Sequence, residues 1–237
     1  MSPETPAALL ARLVESDPGR PRITTYDDTE GPTRGERIEL SARVVANWVS
    51  KAGNLLQEDL DAAPGTRVLL DLPAHWRSVY WAFAVWSVGA EVVLPGADAD
   101  TPVDVVVTDD PERCEQGEVA VLVTLAALAR SADGPVPPGA VDEAKDLATH
   151  GDVFTAWDEP DADAVALRTP EGALTYAGLV PTGAGPVREH VATGETATLL
   201  EVVLRAWAGD GSVVLTRGAP DADVLAARLA TEGVTGV

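Results

Sequence analysis

The stretch TRVLLDLPAHWRSVYWAFAVWSVGAEVVLPG, Thr66 to Gly96, decides the fold. Its apolar run Val68 to Leu72 has the length of a buried strand, and Pro73 ends it. From about Pro73 to Val88 the spacing turns helical, with Trp76, Tyr80 and Phe83 on one stripe and Trp81, Val85 and Val88 on another. Gly89 stops the helix, and Glu91 to Leu94 form a second strand. The whole is one βαβ unit, which calls for parallel strands. A helix that is apolar most of the way round is buried between layers or half buried in a partner interface. The interface candidates are therefore Trp76, Tyr80, Trp81 and Phe83.

Upstream, Leu9, Leu10, Leu13 and Val14 sit at helical spacing, and Pro18 and Gly19 end that helix. Arg22 to Tyr26 and Arg37 to Leu40 alternate, with a polar tract between them, and read as a hairpin with a long loop. Ser41 is placed as a helix N-cap, with Leu40 and Val45 as its hydrophobic staple. The following helix runs to about Leu60 with one apolar stripe. Downstream, Val103 to Val107 and Val119 to Thr124 are strands of nearly continuous valine and leucine, which predicts a mostly parallel sheet covered on both faces.

SADGPVPPG, Ser131 to Gly139, reads as a linker. Beyond it, Ala164 to Arg168 and Ala173 to Tyr176 form a small hairpin, and Thr196 to Ala208 an amphipathic helix. Ser212 to Thr216 is a strand, Asp221 to Thr231 a last helix, and VTGV a final short strand. The expected architecture is a single α/β domain over residues 1–237 made of two related half-units. The first covers about 1–130, the linker about 131–160, and the second about 161–237.

Composition narrows the function. With 17 basic and 38 acidic residues, net −21, the chain repels nucleic acid phosphates and anionic lipid. The single cysteine, Cys114, forms no internal disulfide and predicts a reducing, cytoplasmic setting. The N-terminal segment lacks the pattern of a signal peptide, and no apolar run approaches the roughly 20 residues that span a bilayer. Only two lysines occur, Lys51 and Lys145, neither in a glycine-rich loop.

The segments ERIELSARVVANWVSKAGNLL, PGTRVLLDLP and HWRSVYWAFAVWSVGAEVVLP resemble the N-terminal region of the adenylate-forming superfamily, which includes acyl-CoA synthetases, peptide synthetase adenylation domains and luciferases. LLEVVLRAWAGDGSVVLTRGAPDADVLAARLATEGVTGV resembles the part of that family that follows its phosphate loop. These segments cover about two fifths of the chain and are scaffold motifs. The arrangement also resembles a compact actinobacterial family related to those synthetases. The resemblance implies a phosphate loop with serine, threonine, glycines and a lysine, whose backbone amides cradle ATP. The matching place, Val165 to Val180, offers Thr169 and Gly172 without a lysine or a glycine run. In an alternative alignment ALTYAGL is a second copy of the opening hairpin-to-helix signature. The family's ribose-binding aspartate and its mobile C-terminal domain with the catalytic lysine are not in this sequence.

Other constellations read as structural. His75, His150 and His190 lack ligand spacing, so no metal site is expected. His75 alone, in the first turn of the central helix, stands where backbone N–H groups attract anions. The pairs Asp27 with Asp28 and Asp109 with Asp110, and the DAD tracts at Asp98 and Asp161, read as solvated loop charges. The GAG of Gly183 to Gly185 reads as a flexible turn. The expectation is a non-catalytic relative of AMP-forming acyl-CoA synthetases, without a cofactor, that works as a binding or protein-interaction module and self-associates through aromatic helix surface. The alternatives are a carboxylic-acid-activating ligase completed by a partner, and a protein that holds a nucleotide or acyl ligand without turnover.

Overall fold

The computed structural model describes residues 3–97, 102–183 and 185–236. The acidic turn Asp98 to Asp100, Ala184 of the GAG tract and Val237 of the closing VTGV lie outside the described residues.

Helix α1 (Pro6–Ser16) begins at Thr5, whose hydroxyl accepts from Ala8 N. Strands β1 (Pro21–Asp27) and β2 (Arg37–Ser41) make the antiparallel hairpin read from the alternation. Ser41 caps α2 (Ala42–Asn54) by accepting from Val44 N, and the helix continues as one π turn over Leu55–Asp59. The opening βαβ unit is β3 (Arg67–Asp71), α3 (Trp76–Ser87) and β4 (Glu91–Val93), with β3 and β4 parallel. The helix starts three residues later than Pro73 because His75 is its extended N-cap.

The chain continues through β5 (Val105–Thr108), β6 (Val119–Leu122), β7 (Ala140–Asp142) and the single turn α4 (Glu143–Asp146). A second hairpin, β8 (Val165–Thr169) and β9 (Gly172–Thr175), leads to the single turn α5 (Tyr176–Leu179). Then follow β10 (Arg188–Ala192), α6 (Thr196–Ala208), β11 (Ser212–Arg217) and α7 (Ala222–Thr231). Strands β7 and β10 escape the sequence reading because they end their sheets, where a strand carries polar side chains and lacks a continuous apolar run.

Two sheets result, in the orders β10-β11-β1-β2 and β7-β6-β5-β3-β4-β8-β9. All pairs are parallel except the two hairpins. Hairpin, helix, strand, helix, strand occurs twice along the chain, and each hairpin adds to the other repeat's sheet: β1 pairs with β11, and β8 with β4. Both hairpins carry a register shift near their start, Pro21/Ile23 and Val165/Leu167.

A tryptophan locks each exchange. Trp86 of α3 donates its indole N–H to Ala166 O of β8 (2.8 Å), and Trp207 of α6 donates to Arg22 O of β1 (3.1 Å). Both indoles are buried, so each bond is made away from competing water. The core gathers α1, α2, α3 and α6 against one face of each sheet. A smaller cluster of Leu69, Val93, Val106, Leu122 and Cys114 covers the other face of the longer sheet.

Candidate functional site

Parallel strands converge with their carboxyl ends on one side, where loops open and ligand crevices form. Here the ends of β11, β3, β5 and β6 surround a cleft of about 540 Å³. Its lining includes Thr29, Pro73, Asp109, Thr124 and Arg217. Arg217 and Asp27 are register partners at the ends of β11 and β1. The guanidinium Nη1 donates to Asp27 Oδ2, and both side chains are nearly buried. Asp27 Oδ1 accepts from Thr29 N at 2.9 Å and from Thr29 Oγ1 at 2.5 Å. Burial alone would raise the Asp27 carboxyl, but the Thr29 and Thr33 hydrogen bonds and the Arg217 charge outweigh it and hold it below the usual range. Asp27 is thus no solvated loop charge: it organises the β1–β2 loop. Gly218 permits the approach, since a Cβ there would meet Asp28 C at 2.8 Å and its φ is +80°.

His75 lies within electrostatic reach of this pair. It is 1% exposed, and its Nδ1 accepts from Arg77 N at 3.2 Å while Ser78 Oγ accepts from His75 N at 3.3 Å. The acceptor role leaves the proton on Nε2. Burial, then the charges of Arg217 and Arg77, push its pKa well below the ordinary value. The ring itself caps the helix start, so a neutral side chain occupies the place where an anion would be drawn.

Thr169 and Gly172 sit opposite one another at the tip of the second hairpin. Only Pro170 and Glu171 lie between them; Glu171 N donates to Thr169 Oγ1 (3.2 Å), and Gly172 has φ +149°. The tip borders a cleft of about 330 Å³, whose walls include Pro170, Glu171, Gly194 and Glu195. Alongside runs a groove of about 530 Å³ between the hairpin and α6. Strand β8, turn, β9 and the four-residue α5 follow one another in the same order as the opening hairpin and α2.

The aromatic face of α3 is internal. Trp76, Tyr80, Trp81 and Phe83 are at most 3% exposed. Trp48 packs on Trp76 and Tyr80, and Phe83 on Trp207 at 5.0 Å. Arg77 lies 4.5 Å from the Trp76 ring, with Nη1 2.9 Å from Glu143 Oε1, and Tyr80 O–H donates to the same oxygen. The structure places all four interface candidates inside this chain, packed between α2 and α6. Sequence reading missed Arg217 and Glu143 because their partners are distant in the chain. Among the described residues no group of three or more His, Cys, Asp and Glu side chains is placed to hold a metal ion, and no helix is long and apolar enough to cross a membrane.

A Mycobacterium tuberculosis protein described as a TIGR03089 family protein is 36% identical over 253 residues, covering 97% of this chain and 96% of that one. The chain belongs to the TIGR03089 family. No protein-family model matches it. Among solved structures, acetoacetyl-CoA synthetase from Streptomyces lividans aligns with TM-score 0.70 at 14% identity, covering 98% of this chain and 41% of that one. A Mycobacterium tuberculosis fatty acyl CoA synthetase aligns at 0.67 and 14%, covering 98% and 49%. The N-terminal subdomain of Klebsiella oxytoca NpsA aligns at 0.61 and 14%, covering 99% and 61%. This member of the family therefore has the N-terminal fold of acyl-CoA synthetases and spans less than two thirds of each of these structures.

Proposed function

We propose that the protein is a non-catalytic relative of AMP-forming acyl-CoA synthetases that acts as a binding and protein-interaction module. The observation that carries this reading is the β8–β9 tip. Where the resemblance places a phosphate loop, the chain turns in two residues, and one of them is Glu171. A triphosphate needs several convergent N–H groups and a cation. A two-residue turn offers few amides, and the neighbouring Glu171 and Glu195 repel the phosphates. The working surfaces in this reading are the clefts at the strand ends. The setting is a reducing cytoplasm, with buried Cys114 kept as a thiol. Self-association through α3 has no place in it, since that helix is covered.

ATP–pyrophosphate exchange with a panel of carboxylic acids is the test. The expected result is no exchange above a protein-free control; robust exchange by the purified protein overturns the proposal. The cleft beside Arg217 supports a second reading, a small nucleotide or acyl ligand held without turnover. A thermal shift with ATP, AMP or acyl-CoA supports it, and no shift at millimolar ligand removes it.

A further inference from the structure

The groove between the second hairpin and α6 has a counterpart in the first repeat, and the counterpart is filled. Counting back ten residues from the equivalent tryptophans, Trp207 and Trp86, sets Ala197 in the place of Trp76. On the same count Glu201 stands for Tyr80, and Leu204 for Phe83. On α3 this face is covered by the 13-residue helix α2, whose Trp48 packs on Trp76 and Tyr80. On α6 the helix that follows the hairpin, α5, has four residues. The face is left as the wall of a groove of about 530 Å³.

The hairpins tell the same story. Leu40, opposite Ile23 in the first, is 8% exposed; Leu174, opposite Leu167 in the second, is 48% exposed. Exposed Leu174 therefore stands over a largely buried floor of Leu167, Leu179 and Leu204 where a helix is laid in the other repeat. Its rim carries Glu171, Glu195 and Glu201, while Arg205, the cation beside them, is already paired with Glu189 and Glu201.

We propose that this groove is a docking site for an amphipathic helix of a partner protein, with leucine-type residues along one stripe and lysines or arginines flanking it. The inference rests on the binding-module reading and gives its partner a chemistry. The helical form follows from the filled counterpart, where α2 lies along α3. The basic character follows from the acidic rim. A second copy of this chain is disfavoured by its net charge of −21.

The test uses a fluorescein-labelled, amidated 18-residue peptide of leucine, alanine and lysine, with leucines at helical i, i+4, i+7 and i+11 spacing. Its controls are a scrambled peptide and a version with glutamate for lysine. Fluorescence anisotropy with the whole protein is expected to show saturable binding of the first peptide at least tenfold tighter than either control. Leu174→Lys and the double change Glu195→Lys, Glu201→Lys are each expected to weaken it tenfold or more. These positions are exposed, and unchanged circular dichroism and melting temperature verify the fold. Equal binding of the controls, or variants that bind as the parent does, overturn the proposal. So does a dimer in analytical ultracentrifugation that Leu174→Lys dissociates, since the occupant is then a second copy. Pyrophosphate exchange reports on the non-catalytic reading separately: failed peptide binding without exchange removes the partner chemistry alone.

Discussion

The two hairpins occupy equivalent places and have been finished differently. Each adds to the other repeat's sheet, carries the same early register shift and receives an indole hydrogen bond on its first strand. At the tip of the first, residues 28–36 fold back around Asp27, with Gly35 N donating to Asp27 O at 2.7 Å and Asp28 N to Arg217 O at 2.9 Å. At the tip of the second there are two residues and a carboxylate. The pairing frame of a hairpin is thus set by buried strands and their anchors, while the chemistry at its end is set by a loop that is free to lengthen or shrink. A fold related to synthetases carries over the frame, and function has to be argued from the tips.

Four experiments test how far the two hairpins are equivalent. Removing either anchor should show whether the repeats are equally dependent on it. Trp207→Ala and Trp86→Ala are each expected to destabilise by about 3–5 kcal/mol in urea unfolding, the range for large aromatic truncations. A loss at one site more than twice that at the other breaks the equivalence. Asp27→Asn separates the tips: it leaves Arg217 buried without its carboxylate, at about 3 kcal/mol. Thr169→Ala at the other tip is expected to stay within about 0.5 kcal/mol.

The third experiment uses pH. His75 stays neutral in the fold because its pKa is held low, whereas an unfolded histidine takes up a proton near its ordinary value. Below about pH 6.5 the unfolded chain therefore binds the extra proton, and stability falls as the pH falls. His75→Gln should flatten that step in denaturation curves recorded between pH 7.5 and 5.5. Glu232 acts at lower pH. Burial raises its carboxyl, but hydrogen bonds from Tyr26, Arg37 and Arg188 prevail and hold it low, so its contribution is lost only as pH falls through that lowered value. A modest effect is expected from lengthening the β8–β9 turn. Replacing Pro170 and Glu171 with eight glycine and serine residues doubles the loop twice and should cost about 1.2 kcal/mol. A loss of the native transition would show that the short tip has a structural role of its own.

Much of this frame can be read locally. The βαβ unit of Thr66 to Gly96 was legible because a strand, a helix and a strand each declare their period within a few residues. The Ser41 cap and both hairpins were legible for the same reason. The site was less so. Asp27 looks like any acidic residue at a loop until Arg217, 190 residues away, is brought beside it by the β1–β11 register. The tryptophans of α3 look like surplus surface until Trp48, Arg77 and Glu143 close over them.

Most of the elements, their mostly parallel character and the lack of a lysine in Val165 to Val180 follow from spacing, propensity and counting, though the edge strands β7 and β10 do not. Only the tertiary structure decided which hairpin joins which sheet, that the aromatic helix is covered, and that α6 keeps an open face beside an acidic hairpin tip. Those outcomes depend on pairing registers and helix lengths in distant segments. Their free energy resides in contacts that no local window of sequence contains.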